Sequence, residues 1–211
     1  SLKSGTADML AMSIEQWKSL DVEGLKISAF LPRREPTWVL VGDDKPEYLP
    51  LNATVICPKK LIKRQLIRMR PDLLIYDLRD FLEYEKISLD SQIVDDEGGL
   101  ELLEKLRNDG LIDGYVISRG QFSQIKSRVR RHTLGMQREK PSQEFERSTF
   151  ISPPLEGFTV LVSREGFPIS VVKILNDAAA ETCYTVENAI FESLSDELKE
   201  ICGVFVEQKK L

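Results

Sequence analysis

The stretch that most limits what this chain can fold into is residues 53–78. It holds an apolar run, ATVIC, then a proline, then a stretch of helical length, then Pro71-Asp72 and a second apolar run, LLIYDL (73–78). Proline suits the first turn of a helix and stops one that is ending, so the pattern reads strand, helix (about 58–70), strand. Two strands joined by a helix of that length pair in parallel. Further apolar runs repeat the alternation. LKISAFLP (25–32) and TWVLVGDD (37–44) read as strands joined by a charged, proline-flanked loop. GLELLEKLRN (99–108) reads as a helix ended by Asp109-Gly110, and DGYVIS (113–118) as a strand. GFTVLVS (157–163), a helix over 177–194 and a short strand CGVFVEQ (202–208) follow; residues 7–20 form an amphipathic piece and the polar stretch 127–148 reads as a helix end and crossing linker. The expected class is α/β with a mainly parallel sheet.

The first helix carries Lys59, Lys60, Lys63, Arg64, Arg68 and Arg70, although the chain of 211 residues has a net charge of −5. An acidic balance argues against a surface that tracks nucleic acid, so an anion site must be local. A strand that feeds a helix leaves a positive dipole end at the carboxyl edge of a sheet. Lys59 and Lys60 sit at that end, with Lys63 and Arg64 one turn on along the same side. A solvated helical face with Leu61, Ile62, Leu66, Ile67 and Met69 toward the core is the competing reading. Ser118 and Arg119 close another strand at a sheet edge. No apolar run is long enough to cross a bilayer. Three cysteines, Cys57, Cys183 and Cys202, are odd in number and widely spaced, and no secretory pattern opens the chain, so a reducing cytoplasm is expected. One histidine, His132, and scattered cysteines make no metal cluster. Cys57, at a strand end before a helix, occupies a position that lowers thiol pKa.

The order of GTADMLAMS, LKISAFLPRREPTWVLV, LPLNAT, RQLIRMRPDLLIYDLR, LRNDGLIDGYVIS, PPLEGFTVLVSRE and LNDAAAETCYTVENAIF resembles hydroxymethylbilane synthase, also called porphobilinogen deaminase, an enzyme of tetrapyrrole biosynthesis. The resemblance implies two doubly wound lobes like those of periplasmic binding proteins and a small C-terminal α+β domain. Residues 1–45 and 149–166 would form the first lobe, 46–148 the second and 167–211 the third domain. Relative to that family the first lobe would be incomplete, lacking an initial βαβ portion, and a homodimer could cover its apolar edges. The ligand implied is a pyrrole polycarboxylate, for which Ser13, Lys59, Lys60, Lys63, Arg64 and Arg79 are candidate contacts; Ser118 and Arg119, which replace small residues of the family, are added from their place at the sheet edge, and charge and hydropathy give no nucleic acid or membrane partner.

The catalytic residues implied by the resemblance are replaced. The family's aspartate, which stabilises pyrrole cations, aligns with Gln16 in the run Met12-Ser13-Ile14-Glu15-Gln16, leaving Glu15 as a displaced carboxylate candidate. The cysteine that holds the family's covalent dipyrromethane aligns with Leu198, so no cofactor is expected; Cys202 is the other candidate for that anchor. A degenerate deaminase, an active divergent one using Cys202 and Glu15, and a non-catalytic small-anion-binding protein are the open readings.

Overall fold

The computed structural model describes every residue except 1, 3, 21–22, 35, 88–95, 124–128, 135–149 and 209–211. The class is α/β, divided into two compact units, Thr37–Ile151 and a second made of Ser1–Pro36 with Ser152–Leu211. Residues 167–211, which the resemblance set apart as a third domain, group with the chain's first 36 residues.

In the unit of residues 37–151 the strands are β3 (Trp38–Val41), β4 (Thr54–Ile56), β5 (Leu74–Tyr76), β6 (Gly114–Ser118) and β7 (Arg131–Leu134), in the sheet order β5-β4-β6-β3-β7. β4 is parallel to β5 and β6, while β3 is antiparallel to both β6 and β7. The expected parallel sheet is therefore confined to three strands. Every residue of β3 is buried, and alternation sends its side chains to opposite faces. Trp38 and Leu40 join Val55, Ile75 and Val116 on the face covered by Ile62 and Leu66 of α2 (Lys60–Met69). Val39 and Val41 join Ile56, Tyr115 and Ile117 on the other, against α3 (Leu78–Tyr84) and α4 (Asp96–Asn108) through Phe81, Leu82, Leu103 and Leu106. Helices thus cover both faces, as in a doubly wound sheet. In α2 the buried positions Leu61, Ile62, Gln65 and Leu66 recur at helical spacing. Each buried Leu or Ile contributes about 2 kcal/mol. Buried Gln65 exchanges two hydrogen bonds with the Ile151 backbone, of 2.7 and 3.0 Å, which fixes where the chain leaves this unit.

The other unit has a three-stranded antiparallel sheet with β8 (Thr159–Arg164) between β1 (Met9–Ser13) and β2 (Leu25–Phe30). Its helices are α1 (Ile14–Ser19), α6 (Ile169–Val172), α7 (Ala178–Ser193) and α8 (Asp196–Lys199). The expected amphipathic piece over 7–20 is a strand followed by a helix. The break falls at Ser13, whose side chain accepts from the Gln16 N–H while the Gln16 side chain accepts from the Ser13 N–H. Gly157, at φ 79°, packs so closely on Arg34 and Pro36 that a Cβ there would lie 2.7 Å from the Arg34 carbonyl oxygen.

A buried ion pair organises this unit. Arg33 Nη1 lies 2.6 Å from Glu187 Oε1 and Nη2 3.2 Å from Oε2. Arg33 also donates to the carbonyls of Glu156 (3.1 and 2.9 Å) and Val206 (3.2 Å), which engages all five of its N–H groups. Glu187 accepts in addition the backbone N–H of Leu155 (2.9 Å) and Val206 (2.8 Å). The guanidinium lies 4.0 Å from the Phe158 ring centroid and 5.0 Å from that of Phe205. The expected strand over 202–208 is not formed for this reason. Its Val206 N–H and C=O bond to the ion pair instead of to a neighbouring strand.

Candidate functional site

The parallel strands β4, β5 and β6 end at one edge of the sheet. From β4 the chain turns through α2 to β5 on one side; β6 lies on the other side, reached through α3 and α4. Loops leaving the carboxyl ends of β4 and β6 therefore diverge, and such a switch point opens a crevice where ligands bind in α/β sheets. Residues singled out in the sequence stand there. β4 runs into Cys57-Pro58-Lys59, β6 into Ser118-Arg119, and β5 into Asp77-Leu78-Arg79. Trp38 of β3 is the register partner of Ser118.

Lys59 is the N-cap of α2 and gives it no side-chain cap, so the positive end of this ten-residue helix meets no side-chain acceptor from its own cap. Its Nζ lies 5.9 Å from the centroid of the Trp38 ring. Arg119 is half-buried; its backbone N–H donates to the Thr37 carbonyl at 3.1 Å and its Nη1 is 3.5 Å from Thr133 Oγ1. Ser118 caps the short helix α5 (Arg119–Phe122), its Oγ accepting from the Gln121 N–H at 3.2 Å. Two buried polar atoms here, Thr37 Oγ1 and Trp38 Nε1, have no hydrogen-bond partner among the described residues. Sequence reasoning missed both. The only signal was an aromatic residue opening a strand that is otherwise wholly aliphatic.

The other expected site residues disperse. Lys60 and Arg64 are exposed on α2, and Lys63, half-buried, carries its charge toward Cys57. Arg79 is exposed at the start of α3, where Asp77 accepts its backbone N–H at 3.0 Å and so caps the helix. Arg70 closes α2 as a structural clamp. It grips Asp72 through Nε (2.7 Å) and Nη2 (2.5 Å) and donates to the carbonyls of Pro46, Glu47, Leu49 and Pro50. Ser13 and Glu15 lie in the other unit, Ser13 engaged in its cap and Glu15 exposed in the first turn of α1. Cys57 corrects the expectation of a lowered thiol pKa. Burial pushes it up to about 12, and backbone hydrogen bonding at Lys59 and the Lys63 charge only partly offset this. Cys202 is half-buried and donates its backbone N–H to the Leu198 carbonyl at 2.8 Å, while Leu198 is exposed on α8. Among the described residues no cluster of three His, Cys, Asp or Glu could hold a metal ion, and no helix is long and apolar enough to cross a membrane.

No family model matches the chain, and no curated protein matches it. Matching solved structures include a ligand-binding component of an ABC-type import system from Staphylococcus aureus with zinc bound (TM-score 0.36, 13% identity, 77% of this chain and 50% of that one). Others are the periplasmic VFT2 domain of BvgS from Bordetella pertussis (0.33, 18%, 90% and 68%) and a putative methionine-binding lipoprotein from Bacillus subtilis (0.36, 14%, 86% and 75%). This chain thus spans half the length of the Staphylococcus protein. At these scores and identities no function passes from them to this chain. The resemblance to hydroxymethylbilane synthase is corrected: no family or curated match supports it, and the matched structures named here are a ligand-binding component, a VFT2 domain and a putative methionine-binding lipoprotein, none of them a deaminase. The Ser13–Gln16 run that it aligned with a catalytic motif is a helix cap, and Cys202, its other anchor candidate, opens the 202–208 strap held by Arg33 and Glu187. Tetrapyrrole biosynthesis and the dipyrromethane anchor lose their premise with it. The cytoplasmic placement rests on the reading of the cysteines and the chain's opening alone and is not carried forward.

Proposed function

We propose that this chain is a non-catalytic binder of a small anionic ligand, taken up at the carboxyl edge of β4 and β6. The observation that carries the reading is the placement of two half-buried cations, Lys59 and Arg119, at the carboxyl ends of the neighbouring parallel strands β4 and β6, with Lys59 at the positive end of α2. The described residues of this edge offer no activated nucleophile. Cys57 is held as a neutral thiol by burial, and no carboxylate–histidine or metal arrangement accompanies it among the described residues. Cations at a sheet edge with a helix dipole behind them supply long-range attraction and hydrogen-bond donors, which suffices for binding.

The test is thermal denaturation in citrate against sodium chloride of equal ionic strength. A ligand at a hundred times its Kd stabilises by about 2.7 kcal/mol, so Tm rises by several degrees. Lys59→Gln combined with Arg119→Gln should abolish the rise. An undiminished rise in the double variant would place the anion elsewhere and overturn the proposal.

A further inference from the structure

We infer that β1 is a docking edge for a second copy of this chain, joined strand to strand about a two-fold axis at Leu10. The ladder with β8 decides which way the β1 backbone points. Ile14 donates to the Phe158 carbonyl at 3.3 Å. Bonded and non-bonded pairs alternate along an antiparallel ladder, so Met12 and Leu10, in register with Val160 and Val162, also bond to β8. Met9, Ala11 and Ser13 therefore turn their N–H and C=O groups away from it. The Ser13 N–H is taken by its helix cap at 2.9 Å, while those of Met9 and Ala11 have no partner among the described residues. Such an edge is a template for another strand, and proteins blunt one with charge, proline, a bulge or a cover. The opposite edge of the same sheet is blunted in this way. β2 carries Lys26 and is bulged between Ile27 and Ala29, and the outward N–H and C=O of Phe30 bond to Asn176 Oδ1 and the Asp177 N–H, both at 2.8 Å. β1 reads Met9-Leu10-Ala11-Met12-Ser13, without charge or proline, and keeps one register with β8 throughout.

A second copy is the occupant because the strand is complementary to itself. Antiparallel pairing centred on Leu10 sets Met9 against the partner's Ala11 and Ala11 against the partner's Met9. Each of these pairs exchanges both of its bonds, so the pairing uses the outward groups of Met9 and Ala11 and calls on none that is already engaged. Leu10 meets the partner's Leu10 in a non-bonded pair, where side chains come closest. Alternation puts Leu10 on the same face as Met12 and opposite Val162, the core face of this sheet, yet it is 43% exposed. The pairing covers it. Asp8 falls against the partner's Met12, so no like charges stand opposite each other, and a two-fold contact of this kind closes at the dimer. The edge belongs to the unit that does not hold the anion site, so the inference is independent of the proposed function.

Sedimentation equilibrium of the unaltered chain over a concentration series should show a reversible monomer–dimer equilibrium. Leu10→Lys sets two like charges opposite each other in place of two apolar side chains and should raise the dissociation constant by about tenfold or more. Leu10→Glu alone should do the same, and mixing the two variants should restore the dimer, because only a two-fold at position 10 brings the opposite charges face to face. Leu10→Cys keeps a small apolar side chain and carries the test should the charged variants fail to fold. A non-bonded antiparallel pair has the Cα separation a disulfide needs, so a mild oxidant should link position 10 to position 10 of the partner, as read by peptide mass spectrometry. A monomer at the highest concentration reached, or a dimer that Leu10→Lys leaves intact, would overturn the inference. A species larger than the dimer, or no link at position 10 in a dimer of Leu10→Cys protein, would overturn the two-fold pairing.

Discussion

Glu187→Gln is the substitution whose cost the structure defines most fully. Both partners of the pair are out of water, with side-chain exposures of 3% for Arg33 and 0% for Glu187. The carboxylate receives donors on both oxygens, Arg33 and Val206 on Oε1 and Arg33 and Leu155 on Oε2. An amide keeps one oxygen and replaces the other with an NH2 group. Whichever way it turns, that NH2 faces an Arg33 N–H and a backbone N–H, donor against donor, and the guanidinium loses its counter-charge. Removing one member of a buried pair costs about 3–5 kcal/mol, a large part of the roughly 5–15 kcal/mol that holds a domain together. Trp17 packs on the core of this unit, so urea denaturation of Trp38→Phe protein followed by Trp17 emission reads it directly. With a slope of about 2 kcal/mol per molar urea, the midpoint should fall by about 1.5–2.5 M. Replacing both partners, Arg33→Met with Glu187→Leu, should recover most of the loss because no charge is left stranded. A midpoint change below about 0.5 M for Glu187→Gln would refute the claim that this pair organises the unit.

Two further outcomes follow from the clamp on α2 and from Cys57. The Arg70 hydrogen bonds hold the Asp72 carboxyl down at about 2. A pKa depressed on folding stabilises above the unfolded value near 3.8 and loses that contribution as pH falls toward 2. The Tm difference between the native chain and Asp72→Asn should thus be constant from neutral pH to about 5 and close near pH 2; a gap that persists there would count against the clamp. For Cys57, with its thiol raised by burial from 9.0 to about 12, the neutral form stabilises below 9 and that contribution is lost as pH rises through 12. Iodoacetamide at pH 8 should therefore alkylate half-buried Cys202 first and Cys57 only in denaturant, as read by peptide mass spectrometry. Native labelling of Cys57 at the rate of a free thiol would contradict its burial.

The βαβ unit was legible because its signals are local. Strand runs of apolar residues, a proline-started helix and Pro71-Asp72 fix β4, α2 and β5 with little help from the rest of the chain, and the strand ends then fix where Lys59 and Arg119 stand. β7 was not legible, since Arg131-His132-Thr133-Leu134 is polar at three of its four positions and becomes a strand only by pairing with β3. The reverse error arose at 202–208, where an apolar run has the composition of a strand but its backbone partners are the side chains of Arg33 and Glu187. Those two residues lie 154 positions apart, and no spacing rule joins them. Ser13 and Gln16 show how a helix cap imitates a functional motif: a serine with a glutamine three residues on is a helix start signal, and in this chain it also fell on the family's catalytic run. Thr37 and Trp38 look like ordinary core in sequence. Only the absence of hydrogen-bond partners among the described residues marks them.

The most direct test of the anion-binding account is an amide chemical-shift titration of the isotopically labelled chain with citrate. Saturable shifts should concentrate at the amides of residues 57, 59–61 and 118–120, and should vanish in the Lys59→Gln, Arg119→Gln protein. Saturable shifts centred on other residues, or none at concentrations that raise Tm, would contradict it.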